Sequence, residues 1–421
     1  MEKLIVRGRN RLCGKIDVSS AKNSVLPLMA ASVLREGKTY IENCPKICDV
    51  LVMGRILRAL GAKVSFEGNT LALDTTGVSD YNLPCELTRK IRASLFTVGA
   101  LLGRFGRATI CRPGGCNIGE RPIDIHVSAM RDLGVKVKEG DLVVFRDDGG
   151  KGGETTLPFP SVGATENLVM LSVLRKGKTI VRNAAREPEI VDLQRFLNLA
   201  GAKVSGAGTE EITVEGVERL VGGDVRFRPV ADRIEAGTFL FAGIACGGEM
   251  LFSDHSLDNL DAVFEIVGQN ACKIYRKDGK IEGVSFPDAP VGFGNAVETA
   301  PFPGFPTDLH PQLVASSCFC RGETRLCERI FPGRFGYVRE LVKAHAGISL
   351  CGDTVCVAGG GEHRGAEMVA GDLRGGAALV IAALASEGRS SVSGAEHIDR
   401  GYGLFEEKLR ALGASVVRAE E

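Results

Sequence analysis

One short signature recurs six times along the 421-residue chain, and it constrains the fold more than any other feature. It joins a helix end, one or two small residues and the start of a strand. Clear copies read Leu60-Gly61-Ala62-Lys63-Val64, Leu133-Gly134-Val135-Lys136-Val137, Ala200-Gly201-Ala202-Lys203-Val204 and Leu412-Gly413-Ala414-Ser415-Val416. Weaker ones stand at Ala271-Cys272-Lys273-Ile274 and His345-Ala346-Gly347-Ile348, and successive copies are 73, 67, 70, 74 and 68 residues apart. An upstream half repeats as well: Leu34-Arg35-Glu36-Gly37-Lys38-Thr39 matches Leu174-Arg175-Lys176-Gly177-Lys178-Thr179, and Leu384 to Val392 repeats it near the end. Glycine there supplies the left-handed residue that stops a helix, and the alternation after it is strand-like. In the segment from Glu189 to Leu197, apolar residues at 190, 193, 196 and 197 share one helical face. One or two such punctuations arise in any α/β protein; six at nearly even spacing argue for a repeat. A unit of about 70 residues with two helices and several strands is too long for the common solenoids, so the chain reads as six α/β modules grouped three and three.

At this length, with 44% hydrophobic residues, two domains are expected. The charges balance at 52 basic and 52 acidic, which argues against bulk attraction to nucleic acid or an anionic membrane. Any bound anion must meet a local cationic cluster. The start, Met1-Glu2-Lys3-Leu4-Ile5-Val6-Arg7, lacks a signal-peptide apolar core. Apolar runs such as Ala377 to Ala385 are too short to span a bilayer, so a soluble, cytoplasmic protein is expected. Thirteen scattered cysteines fit reduced thiols, with Cys246, Cys318, Cys320, Cys351 and Cys356 read as small core residues. Their spacings do not match a zinc site and His is scarce, so neither metal nor cofactor is expected.

Four sets of residues carry potential chemistry. Ser19-Ser20-Ala21-Lys22-Asn23-Ser24 precedes an apolar helix from Val25 to Leu34, where capping residues, free N–H groups and Lys22 make a plausible anion site; an ordinary cap with a solvated lysine fits equally. The loop from Arg112 to Asp124 surrounds Cys116 with turn formers and arginines, a setting that lowers a thiol pKa, although a plain surface cysteine is the alternative. Phe302-Pro303-Gly304-Phe305-Pro306-Thr307-Asp308 is a rigid apolar approach to one carboxylate, either a base or a helix cap. Arg334, Arg374 and Arg400 each stand beside Gly or Asp near a predicted helix start, and together they suit a doubly anionic small ligand.

In this order on a six-module chain, these segments resemble the UDP-N-acetylglucosamine 1-carboxyvinyltransferase family of enolpyruvyl transferases. The likeness runs over essentially the whole chain. It is carried by Ala21-Lys22-Asn23, Pro113-Gly114-Gly115-Cys116, Ser161-Val162-Gly163-Ala164-Thr165, Asn183 to Glu189, Asp232-Arg233-Ile234-Glu235, Pro306-Thr307-Asp308, Asp372-Leu373-Arg374 and His397-Ile398-Asp399-Arg400-Gly401-Tyr402. The resemblance implies two inside-out α/β domains of three modules each, with helices packed inside the strands. Residues 21–229 would form the domain carrying the Cys116 loop; residues 1–20 and 230–421 would form the other, discontinuous domain.

The same resemblance implies the reaction: the 3′-hydroxyl of UDP-N-acetylglucosamine attacks C2 of phosphoenolpyruvate, C3 is protonated, and phosphate then leaves. This is the first committed step of peptidoglycan synthesis, hence of cell wall biogenesis, cell shape and division. By resemblance Cys116 is the general acid, Asp308 the base, and Lys22 and Arg400 complete the catalytic set. Asn23, Arg92, Arg121, Pro122, Ile123, Asp124, Ile125, Ser161, Val162, Gly163, Ile330, Arg334, Asp372 and Arg374 would bind substrates. The chain departs from the family pattern at Pro332 and Gly403, at Tyr337 where His is frequent, and at His310 where Gln is frequent. Two other readings remain at this point: transfer to shikimate 3-phosphate on the same fold, and a UDP-N-acetylglucosamine-binding regulatory protein without turnover. Oligomeric state is open.

Overall fold

The computed structural model describes residues 2–420 apart from 115–122, 222, 254, 278–279 and 289. Six helices form the interior: α1 (Lys22–Ala31), α2 (Phe96–Phe105), α3 (Val162–Ser172), α4 (Arg233–Cys246), α5 (His310–Ser317) and α6 (Leu373–Ala385). The chain divides into two compact units, one of residues 20–114 and 123–230, the other of residues 2–19 and 231–420. The first holds α1 to α3 and the second α4 to α6. Each unit has its own apolar core.

The core helices are apolar on every side, which is the pattern of a helix surrounded by protein. In α6 every residue from Leu373 to Leu384 is buried, and in α4 every residue from Arg233 to Ile244. The strands behave in the opposite way. Lys178–Arg182 and Glu211–Glu215 alternate between buried and more exposed positions, so one sheet face covers the helices and the other meets water. Each unit is therefore an inside-out α/β domain of three modules, with helices within and sheets without.

Within a module the first strand leads through an outer helix to a hairpin, and the second hairpin strand settles between the other two. Thr70–Asp74, for example, pairs antiparallel with both Lys38–Ile41 and Lys63–Glu67. A strand from elsewhere then runs parallel along the first: Val225–Phe227 beside Lys38–Ile41, and Leu12–Ile16 beside Gly248–Phe252. Among the described residues, the last module shows no second hairpin strand of its own. The strand Glu2–Arg7 takes that central place, with Leu4 opposite Val392 and Arg418.

The repeated glycines do what their position demands. Gly61, Gly134, Gly201 and Gly413 have φ of 108°, 83°, 93° and 92°. The two weak copies solve the turn differently. His345 itself takes φ 63°, while at the fourth copy the outer helix is broken by Gly268 at φ 58° and Cys272 is extended at φ −157°.

Three sequence expectations are corrected here. The first core helix is not capped by Ser or Asn: its cap position is Ala21, without a side-chain bond, and the Ser20 hydroxyl donates instead to the Glu42 carbonyl at 3.1 Å. Cys318 and Cys320 are core residues whose thiols burial pushes up to about 12, but Cys351 is exposed at the end of the strand Gly347–Cys351. The cysteines are not all reduced, because Cys85 and Cys111 form a disulfide with Cα atoms 5.3 Å apart. A separation of 26 residues gave no hint of that pair. No helix among the described residues is long and apolar enough to cross a membrane.

Glu166 is the most costly residue of the first core. It is fully buried in α3, and neither carboxylate oxygen has a hydrogen-bond partner among the described residues. Desolvation, reinforced by Glu189 and Glu187, raises its pKa well above the usual value, so it stays protonated where a solvated Glu ionises. A raised carboxyl pKa leaves stability intact below the unfolded-state value and removes it as pH rises towards the folded one. Glu166→Gln should therefore match the wild type near pH 4 and melt progressively higher than it as pH increases. A series of thermal melts against pH checks this; a constant difference between the two proteins would refute it.

Candidate active site

The clearest constellation lies in the second unit, around Asp308. Pro306 ends the rigid apolar segment, and Thr307–Leu309 forms one 3₁₀ turn leading into α5. Asp308 caps no helix, which removes the bland alternative for it. Its Oδ1 accepts from Arg334 Nη1 at 2.8 Å, and its Oδ2 accepts from Arg374 Nε and Nη2, both at 3.2 Å. The two guanidinium groups are 4% and 2% exposed, whereas the carboxylate is 29% exposed. A partly open carboxylate thus sits on a floor of two desolvated cations.

The local structure explains that arrangement. Arg374 is in the first turn of α6, where Asp372 caps the helix by accepting from the Arg374 and Gly375 amides at 3.0 Å. Asp372, expected to bind substrate, therefore commits one oxygen to holding Arg374 in place. Arg334 follows the turn Phe331–Gly333 and also donates to Thr307 Oγ1 at 3.0 Å. Ile330 begins that turn. Arg400 lies in the turn after the helix Ala395–Ile398, half-buried, and its neighbour Gly401 packs on Leu373 beside Arg374.

Sequence reasoning missed the floor beneath this group. The Tyr402 ring lies 5.1 Å under the Arg374 guanidinium, and its hydroxyl is bonded to Thr238 Oγ1 at 2.8 Å and Gln312 Nε2 at 3.0 Å. Tyr402 was noticed only as part of a motif; Thr238 and Gln312 sit in apolar helical stretches and carry no local signal.

In the first unit, Lys22 and Asn23 open α1. Lys22 is not a solvated lysine: its Nζ is 2.8 Å from Asp49, both side chains being largely buried. The residues expected to hold a nucleotide sugar gather at three helix starts. Arg92 begins the 3₁₀ helix Arg92–Leu95 that runs into α2, Asp124 begins the helix Asp124–Asp132 after Ile123, and Ser161 caps α3 by accepting from the Ala164 amide at 3.4 Å. Gly163 brings them together, because a side chain there would meet the His126 ring at 3.1 Å and the Phe96 ring at 3.3 Å. His126 in turn shares Asn167 of α3 through a 3.3 Å contact. Cys116, Arg121 and Pro122 lie outside the described residues.

Comparison with known proteins matches this architecture over almost the whole chain. The family profile of EPSP synthase (3-phosphoshikimate 1-carboxyvinyltransferase) covers residues 6–409. A protein of Caldanaerobacter subterraneus subsp. tengcongensis, named UDP-N-acetylglucosamine 1-carboxyvinyltransferase 2, is 42% identical over 99% of this chain and 100% of its own. The chain belongs to the enolpyruvyl (carboxyvinyl) transferase family. A second member of that family, the UDP-N-acetylglucosamine 1-carboxyvinyltransferase of Kosmotoga olearia, is 40% identical over 99% of both chains. Among solved structures, the enolpyruvyl transferase NikO from Streptomyces tendae superposes with a TM-score of 0.88 at 24% identity, over 99% of each chain. The EPSP synthase of Acinetobacter baumannii gives 0.74 at 16% identity and full coverage. At those identities both show the shared enolpyruvyl transferase fold.

Proposed function

We propose that this enzyme transfers the enolpyruvyl group of phosphoenolpyruvate to the 3′-hydroxyl of UDP-N-acetylglucosamine. The observation that carries the reading is the Asp308 carboxylate held by Arg334 and Arg374 in a chain whose 40–42% identical relatives bear that name. The family profile alone leaves open the shikimate acceptor; the full-length relatives favour the nucleotide sugar.

In the addition step the sugar oxygen bonds to C2 of phosphoenolpyruvate while its proton passes to Asp308 and C3 gains a proton from Cys116. In the elimination step C3 returns a proton to the Cys116 thiolate, the C2–O bond to phosphate breaks with its electron pair on the phosphate, and phosphate takes up the proton held by Asp308 as it leaves the enolpyruvyl ether. Phosphoenolpyruvate carries about three negative charges, and fixed cations stabilise them as they redistribute. Arg334, Arg374, Arg400, Arg121 and Lys22 supply that charge, the last as a pair with Asp49. Arg92, Asn23, the stretch Ile123-Asp124-Ile125 and Ser161-Val162-Gly163 bind the nucleotide sugar, with Ile330 beside the Asp308 group. We infer from the proposed reaction that the enzyme works in the cytoplasm, at the start of peptidoglycan synthesis and so upstream of cell division.

Phosphate release from phosphoenolpyruvate, measured with and without UDP-N-acetylglucosamine, tests the reading directly. Release should require the sugar, and Cys116→Ser should lower it by at least about a hundredfold, as expected for loss of a general acid. Release with shikimate 3-phosphate instead would move the enzyme to the other acceptor. No release from folded protein that still binds the sugar would favour a regulatory role.

A further inference from the structure

A second buried network lies directly behind the Asp308 group, and its centre is Glu328. The side chain is fully buried. Its Oε1 accepts from Thr299 Oγ1 at 2.8 Å and from the amides of Ile330 and Phe331 at 2.7 and 2.9 Å. Its Oε2 accepts from Thr307 Oγ1 at 2.8 Å and faces His310 Nδ1 at 3.2 Å, a looser contact than the other four. On its far side His310 Nε2 meets the Tyr337 hydroxyl at 2.9 Å, and the imidazole is wedged edge-on against the Phe335 and Tyr337 rings.

The chemistry of the acceptor sets the protons. An ionised carboxylate can only accept, so each neighbour must donate. His310 Nδ1 lies near that carboxylate but is not aligned for a hydrogen bond with it, while Nε2 meets the Tyr337 hydroxyl. The groups facing His310 are Glu328, Arg334, Asp372 and Tyr337. Burial holds the imidazole below its usual pKa. Burial also works against ionisation of Glu328, but its hydrogen bonds prevail and hold it at about 2. The hydrogen bonds around Glu328, together with the charge attraction of His310, thus keep it ionised.

Those donors belong to the two segments that carry Asp308 and Arg334. Thr307 is the residue before Asp308, and its hydroxyl oxygen also accepts from Arg334. Ile330 and Phe331 begin the turn that delivers Arg334. One carboxylate therefore ties the Thr307–Leu309 turn to the 330–334 turn, and His310 and Tyr337 brace it from α5 and from the helix Gly336–Lys343.

We infer that Glu328, His310 and Tyr337 are positioning residues that hold Asp308 and Arg334 in register for enolpyruvyl transfer. The inference rests on the function proposed above. None of the three touches the Asp308 carboxylate in a hydrogen bond; each acts through Thr307 or the 330–334 backbone. His310 and Tyr337 face each other across one buried 2.9 Å contact.

Glu328→Gln, Tyr337→Phe and the double variant of the full chain test this, with steady-state kinetics for each substrate and melting curves alongside. Gln keeps the shape of Glu but presents an NH₂ to donors on one side. Misplacement of reacting groups by an ångström can cost about a hundredfold, and Glu328→Gln is expected to lower kcat/KM for phosphoenolpyruvate by about that factor. The KM for UDP-N-acetylglucosamine should change less than kcat/KM for phosphoenolpyruvate, since Ile330 is the one sugar-site residue whose amide Glu328 is seen to hold. Tyr337→Phe, which removes one oxygen atom and should fold, is expected to lose about tenfold. The double variant should be no worse than Glu328→Gln, because Tyr337 reaches the two turns only by way of His310 and Glu328. Losses that multiply, or a lower melting point with both KM values and kcat unchanged, would overturn the positioning role while leaving the transferase reading intact. A folded wild type without sugar-dependent phosphate release would overturn that reading and this inference with it.

Discussion

Asp308→Asn should lower kcat for enolpyruvyl transfer by roughly 10³-fold, within the range that general acid–base groups contribute. The substitution keeps the shape of the side chain and an acceptor oxygen, but not the charge or the basicity. Two consequences then separate a base from a merely structural carboxylate. Proton removal from the sugar hydroxyl loses its acceptor, so the fall appears in kcat and not only in KM. Arg334 and Arg374, which now share Asp308 at 2.8 and 3.2 Å, face each other without an anion between them. Two buried cations so placed repel each other and recruit a replacement. The variant should melt lower than wild type in phosphate-free buffer and gain more from added inorganic phosphate, since a ligand that binds only the folded state raises stability with its concentration. Rapid-quench phosphate release and melts across a phosphate series would read both effects. A variant within a few-fold of wild-type kcat would exclude Asp308 as the base.

The second large effect is expected at Arg374. Replacing it by Met should reduce kcat by about 10²–10³-fold, the loss typical when one fixed donor to a developing charge is removed, while the protein melts within a few degrees of wild type. The asymmetry follows from burial. Arg374 is 2% exposed, so its charge is held out of water at considerable cost, and Met fills similar space over the Tyr402 ring without that cost. Asp308 is not orphaned, because Arg334 remains at 2.8 Å and the carboxylate is 29% exposed. Activity would be lost without loss of structure, which is the signature of a charge kept for chemistry. Melting curves and kinetics on the same preparation check it. A collapse of stability parallel to that of activity would show Arg374 to be primarily a structural ion.

Much of the architecture could be read from the sequence because it is local. A glycine in the left-handed region ends a helix wherever it stands, so Gly61, Gly134, Gly201 and Gly413 punctuate the chain in the same way in the sequence and in the fold. Core helices such as α6 have no polar side to turn to water, and that also is written in consecutive residues. The irregular copies were weak in sequence for a structural reason: His345 replaces glycine in its turn, and in the fourth copy the positive-φ glycine stands earlier, at Gly268.

Other features are not local, and there sequence reasoning failed. Lys22 looked like a capped helix start with an open ammonium group, but its partner Asp49 lies in the next helix. The cysteines looked uniformly reduced, but the strand Arg107–Cys111 brings Cys111 to Cys85. Glu328 had no signal at all, being one acidic residue at the end of an ordinary strand.

By itself, then, the sequence determined the repeated modules and the short segments rich in chemistry, because backbone conformation is a property of neighbouring residues; the helix-within-sheet pattern was implied only by the family resemblance. Which charges meet was decided only by the tertiary structure. Asp308, Arg334 and Arg374 come from three separate segments, and a carboxylate gains two desolvated cations only when the turn before α5, the turn after Glu328 and the first turn of α6 are packed against one core. Coulomb interactions depend on distance and on the water excluded around them, and neither quantity exists until the chain has folded.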